Sequence, residues 1–175
     1  MEKDDRYFMK KALKEAKKAY DIGEIPIGCV LVLDNKIISR GYNKKNSTNI
    51  VTKHAEIIAI EKANRKLNNW RLDNVIIYTT LEPCEMCKNV IKSSRIKKVI
   101  YATSSNELNS DFEIQMNKIN DKYIEKTCSM IIKKQFYLIR KKINKKVEKG
   151  KKLQWNIIKR RKNISQEIII PKDKR

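Results

Sequence analysis

No stretch of this 175-residue chain approaches 18 consecutive apolar residues, so no membrane span is expected. The opening Met1-Glu2-Lys3-Asp4-Asp5-Arg6 is acidic and lacks an apolar core, so no secretion signal is expected either. Four cysteines do not make a disulfide framework in a chain of this length, and they fit a reducing, cytoplasmic compartment. Internal repeats are absent. Histidine is nearly absent: His54 stands alone, so any metal site can draw on one imidazole only. The length sets one domain as the default, large enough for a real core.

Positive charge is abundant. Lys and Arg number 41 against 20 acidic residues, a net charge of +21. That balance suits an anionic partner such as RNA. However, 32 of the 41 are Lys, and Asn and Ile are also plentiful. All three have AT-rich codons, so drift in base composition can create part of the excess. The charge supports RNA without proving it. It is concentrated at one end: residues 133–175 hold 17 basic and 3 acidic residues.

The chemistry-bearing stretches are His54-Ala55-Glu56 and Pro83-Cys84-Glu85-Met86-Cys87. Zinc is bound by neutral imidazole and deprotonated thiols, and a catalytic site supplies three protein ligands and leaves one position to water. His54, Cys84 and Cys87 are three such ligands, for one zinc ion. Glu56 is the proton carrier beside them. Residues 53–63 read as a largely buried helix with Thr52 as N-cap. Residues 84–94 read as a second helix, with Pro83 near its start. Cys84 and Cys87, at i and i+3, point to one face, where the helix dipole favours thiolate. The competing readings are a redox CxxC pair and half of a structural zinc knot. A structural site needs a fourth ligand, and only Cys29 or Cys128 remains; both lie in apolar runs and read as core.

H-x-E followed by P-C-x-x-C is the signature of zinc-dependent nucleobase deaminases. With the stretches 23–32 (GEIPIGCVLV), Gly41-Tyr42-Asn43, Trp70-Arg71-Leu72 and 80–87 (TLEPCEMC), the chain resembles the bacterial tRNA-specific adenosine deaminases from about Tyr7 to Tyr101. The resemblance implies that His54, Cys84 and Cys87 bind zinc, that Glu56 shuttles protons, and that Asn43 hydrogen-bonds the target nucleoside. It implies hydrolytic conversion of adenosine to inosine at the wobble position of a tRNA anticodon loop, with release of ammonia, by a homodimer. Two rivals stay open: deamination of a free base or nucleotide (guanine, cytosine, deoxycytidylate) on the same zinc core, and a zinc-stabilised RNA-binding subunit without catalysis.

The predicted fold is α/β: a cytidine deaminase-like three-layer α/β/α sandwich, its mixed central sheet opening with an antiparallel hairpin. A first helix runs from Asp4 or Asp5 to about Tyr20, with Met9, Ala12, Leu13, Ala16 and Ala19 at helical spacing. Strands follow at 27–33 and 36–42, joined by Asp34-Asn35, and residues 47–52 read as a polar loop. Strands at 75–80 and 96–103 flank the second site helix and are expected to pair in parallel. After Thr103 the chain departs from the family. No glycine occurs between Gly41 and Gly150, and Ser105 stands where relatives carry Asp, which bears on substrate choice. Residues 111–121 read as a short helix or an irregular segment. Residues 123–147 read as a helix, with Ile124, Cys128, Ile131, Ile132, Phe136, Ile139 and Ile143 at helical spacing. On the family pattern Phe136 and Arg140 are the RNA contacts; taken alone, Phe136 at this spacing is more often core. Residues 1–148 are thus assigned to the deaminase domain. Residues 149–175 form a basic extension: an RNA-binding helix, a partner-packed helix or a poorly ordered tail.

Overall fold

A computed structural model describes residues 4–104 and 114–167. The altered loop with Ser105 lies outside the described residues. The chain divides into two units, Met1–Phe136 and Tyr137–Arg175.

The first unit is built on a five-stranded mixed sheet of order β2-β1-β3-β4-β5. Strands β1 (Gly28–Leu33) and β2 (Lys36–Tyr42) form the antiparallel hairpin. Its two-residue turn places Asp34 and Asn35 at φ 47° and 57°, the left-handed pair that matches strand twist. Strand β3 (Ile76–Leu81) pairs antiparallel with β1 and parallel with β4 (Lys98–Thr103). The parallel pair is joined through helix α4 (Glu85–Ser93), as the β-α-β pattern requires.

Alternation along the strands divides the core into two layers. Cys29 and Leu31 of β1, Ile77 of β3 and Val99 of β4 face helix α3 (Ala55–Leu67) and α4. Val30, Val32, Tyr78 and Ile100 face helix α1 (Asp5–Asp21) and the start of α5 (Lys122–Glu167). This is the expected sandwich. Asp4 caps α1, its carboxylate accepting from Tyr7 N at 2.8 Å. The small residues of α1 let it lie close on β1: a Cβ on Gly28 would stand 2.2 Å from both Ala12 O and Ala16 N.

Four local expectations change. The N-cap of α3 is His54, not Thr52, because residues 51–52 are turning and His54 already holds the extended cap conformation (ψ 156°). The 47–52 segment is loop only after Thr48, because its first two residues close a single helical turn, α2 (Lys45–Thr48). Within the 111–121 segment, residues Gln115–Lys118 form β5, parallel to β4. It is a short edge strand without buried alternation, which is why its sequence carries no strand signal. Finally, α5 continues to Glu167 rather than stopping near Val147. Within it Ile124, Cys128 and Ile132 are buried, and the buried stripe continues through Gln135, not Phe136, which is 41% exposed. In the second unit the side chains of residues 140–152 are exposed. No helix among the described residues is long and apolar enough to cross a membrane.

A buried ion pair braces the turn that leads into α4. Lys88 Nζ and Glu82 Oε1 are 3.9 Å apart, and their side chains are 3% and 6% exposed. Breaking a buried pair by removing one partner typically costs about 3 kcal/mol or more. Lys88→Met is expected to lower stability by that order, read as a drop in urea midpoint at unchanged m-value.

Candidate metal and catalytic site

The site forms at one edge of the sheet. Register places the start of β1 and the ends of β2, β3 and β4 together: Gly28 opposite Tyr42, Cys29 opposite Thr79, Leu81 opposite Thr103. Helices α3 and α4 both begin there. Their N-caps are His54 and Cys84, and neither side chain caps its own helix. Both side chains instead turn toward each other. His54 Nδ1 lies 3.6 Å from Cys84 Sγ and 3.5 Å from Cys87 Sγ. All three ligand atoms lie within 4.8 Å of one another, and they form the one such group of His, Cys, Asp or Glu among the described residues.

These distances test whether zinc fits. Tetrahedral ligands at the usual Zn–S and Zn–N bond lengths stand about 3.6 Å apart, nitrogen to sulfur. The His54–cysteine separations match that edge, so the three atoms are spaced as ligands sharing one zinc ion. The donor set of two thiols and one imidazole suits zinc as well.

The electrostatics agree. A hydrogen bond from Cys87, followed by one to His54, holds the Cys84 thiol down to about 4. Cys87 is pushed up, first by sharing its proton with Cys84 and then by burial and the Glu56 charge. Zinc takes both sulfurs as thiolates, so metal binding displaces the proton that Cys84 and Cys87 share. His54 is raised, chiefly by its hydrogen bond to Cys84. The N-terminal end of α4 favours the negative charge on both sulfurs.

Glu56, in the first turn of α3, is 3% exposed. Its Oε2 lies 3.7 Å from Cys87 Sγ, and its Oε1 accepts from Thr79 Oγ1 at 3.2 Å. Burial raises its carboxyl, although the nearby His54 and Thr79 pull the other way. A carboxyl moved upward from its ordinary range is better matched to taking and returning protons near neutrality. Thr79 was not singled out in the sequence. Its signal was only its place in strand alternation, which turns it toward the metal group.

Cys29 and Cys128 are not ligands. Both are fully buried, and burial pushes both thiols up, Cys128 to about 12. The structural zinc knot, which needed one of them beside His54, Cys84 and Cys87, thereby loses its fourth ligand. Asn43 follows β2 at the same sheet edge and is 4% exposed. Its neighbour Lys44 donates its N–H to Lys53 O at 2.9 Å, one residue before His54. Phe136 and Arg140 belong to different units, and both are exposed.

Residues 2–103 match the cytidine and deoxycytidylate deaminase zinc-binding region. A tRNA-specific adenosine deaminase of Streptococcus pyogenes serotype M18 is 47% identical over 102 residues, covering 58% of this chain and 64% of that one. The tRNA-specific adenosine deaminase of Buchnera aphidicola subsp. Schizaphis graminum is 40% identical over 141 residues, 75% of this chain and 93% of that one. A solved structure from work on A-to-I editing by tRNA:A34 deaminases at the wobble position is 33% identical, with a TM-score of 0.65, over 72% of this chain and 99% of that one. The chain thus spans just under two thirds of the streptococcal relative's length. Fold, metal-ligand geometry and sequence agree, and the chain belongs to the cytidine and deoxycytidylate deaminase zinc-binding family.

Proposed function

We propose that this chain hydrolytically deaminates adenosine to inosine at the wobble position of a tRNA anticodon loop, as a cytoplasmic homodimer with one zinc per subunit. One observation carries the chemistry: three zinc-spaced ligand atoms with the buried Glu56 carboxylate 3.7 Å from one of them. The tRNA substrate is supported by what the Streptococcus and Buchnera relatives and the solved tRNA:A34 structure are described as acting on. The net charge of +21 suits a polyanion.

His54, Cys84 and Cys87 would hold the metal. Zinc there is a Lewis acid that lowers the pKa of water from 15.7 to about 7. Glu56 would take one proton of the attacking water and deliver it to the purine ring nitrogen as the hydroxyl adds to C6, then take the proton of that hydroxyl and pass it to the amine, so that ammonia leaves and C6 keeps a carbonyl. Thr79 holds one carboxylate oxygen, leaving the other toward the metal group. Asn43 hydrogen-bonds the nucleoside. The target base is splayed out of its loop to reach the site. Residues 1–148 act as the deaminase domain and the basic 149–175 extension as an accessory to it, with Phe136 and Arg140 as further RNA contacts.

The test is an inosine readout on tRNAs with adenosine at the wobble position, beside free adenosine, guanine and deoxycytidylate, with zinc quantified in the same sample. Inosine at the wobble position with about one zinc per chain is expected. Ammonia from a free base or nucleotide alone would replace this reading with the free-substrate one. Salt-sensitive tRNA binding without ammonia would replace it with the non-catalytic one.

A further inference from the structure

Glu24 lies between α1 and β1 and is 1% exposed. Its N–H donates to Ala19 O near the end of α1, at 2.9 Å. Its carboxylate meets no cation within ion-pair distance among the described residues. Its partners are two neutral donors: Ser47 N at 2.5 Å on Oε1 and Asn43 Nδ2 at 3.4 Å on Oε2. A buried carboxylate without a counter-charge is costly. A glutamine of the same shape has a single acceptor oxygen and could not serve both donors from these two positions, so the carboxylate is kept here for a reason despite its cost.

The reason lies in Asn43. Its Nδ2 also donates to Ile25 O at 3.3 Å, while its Oδ1 accepts from Lys45 N at 3.3 Å. A carboxylate can only accept. It therefore forces the amino end of the Asn43 side chain toward itself and the carbonyl end toward Lys45. Ile25 O and Lys45 N favour the same orientation, but a glutamine that keeps its oxygen on Ser47 N would set its own amino group against Asn43 Nδ2 and oppose it. The Ser47 contact ties the same carboxylate to the backbone of α2, which roofs this corner.

We propose that Glu24 is a positioning residue that locks the Asn43 amide in one orientation, so that Asn43 meets the nucleoside with a preset hydrogen-bonding pattern. The substrate half of this proposal rests on the function proposed above. The lock itself does not, since it belongs to the free protein.

Two measurements test it. In the free wild-type protein, the Asn43 side-chain amide, assigned by its loss in Asn43→Ala, should give a slowly exchanging NMR pair that becomes fast-exchanging in Glu24→Gln. A wild-type pair exchanging at the solvent-exposed rate overturns the lock. In steady-state kinetics on an anticodon stem-loop with wobble adenosine, Glu24→Gln should raise KM roughly tenfold with kcat within about twofold. Zinc content and Tm should stay at wild-type values. In an Asn43→Ala background the same substitution should add nothing, because the group it positions is gone. An equal KM loss in both backgrounds, or a fall in kcat and zinc together, overturns the proposal by showing that Glu24 acts through the scaffold. A wild-type protein inert on every wobble-adenosine RNA would overturn the functional reading and the substrate half with it, while the amide exchange still decides the lock.

Discussion

Glu56→Ala is expected to retain zinc at the wild-type ratio and to lose about 10²- to 10⁴-fold in kcat, the range supplied by one positioned acid–base group. The carboxylate touches the site without belonging to the ligand set: its Oε2 meets Cys87 Sγ at 3.7 Å, and its other oxygen accepts from Thr79. Its removal therefore leaves His54, Cys84 and Cys87 in place. Their anchors are the N-caps and first turn of two helices whose burial does not depend on Glu56. Cys87→Ser gives the complementary result. Loss of one of two thiolates removes metal, and turnover falls because the Lewis acid is gone. Elemental zinc analysis beside inosine formation separates the two variants. Wild-type turnover in Glu56→Ala would remove Glu56 from the reaction and end the deaminase assignment as built here.

The metal group was legible in the linear chain because zinc restricts residue type so strongly. One imidazole and one CxxC leave few alternatives, and the strand and helix patterns around them were regular. Cys29 and Cys128 were legible as core for the opposite reason: each sits among apolar neighbours at strand or helix spacing. What escaped was set by tertiary packing. Strand β5 has the burial pattern of an edge, exposed at three of its four residues, and its polar sequence offers no alternation to read. Phe136 was drawn toward the core by spacing counted from Ile132, whereas the stripe takes a three-residue step to Gln135. Thr52 has the right chemistry for an N-cap but stands two residues early, since His54 is needed at the helix start to reach both sulfurs. Glu24 gave no signal as a partner of Asn43, because a sequence separation of 19 hides a contact that exists only once the β1–β2 hairpin has formed.

Gly41→Ala is expected to damage stability and the metal group together. Gly41 pairs with Cys29 near the open end of the hairpin, and a Cβ there would lie 2.1 Å from Ala55 O and 2.9 Å from Ala59 N. Both are backbone atoms of the first turns of α3, so no side chain can swing aside to relieve the overlap. Helix α3 would have to lift off β2, carrying with it His54 at its N-cap and Glu56 in its first turn. Overpacking a core costs about 1–3 kcal/mol and more where backbone must shift. The same displacement pulls Nδ1 out of the 3.5–3.6 Å spacing that makes the three atoms a zinc group. Stability and metal affinity should therefore fall together, Tm by 5 °C or more on the order expected for about 3 kcal/mol in a domain of this size, with zinc lost to a competing chelator at far lower concentration. Gly150→Ala is the control. It has open space around it and a helical backbone, so the same methyl should leave zinc affinity unchanged and stabilise its helix by about 0.5–1 kcal/mol. A Gly41→Ala protein that binds zinc as tightly as wild type would show that α3 reaches the metal without the close backbone contact across Gly41, and that the placement of His54 and Glu56 rests on the β1–β2 register alone.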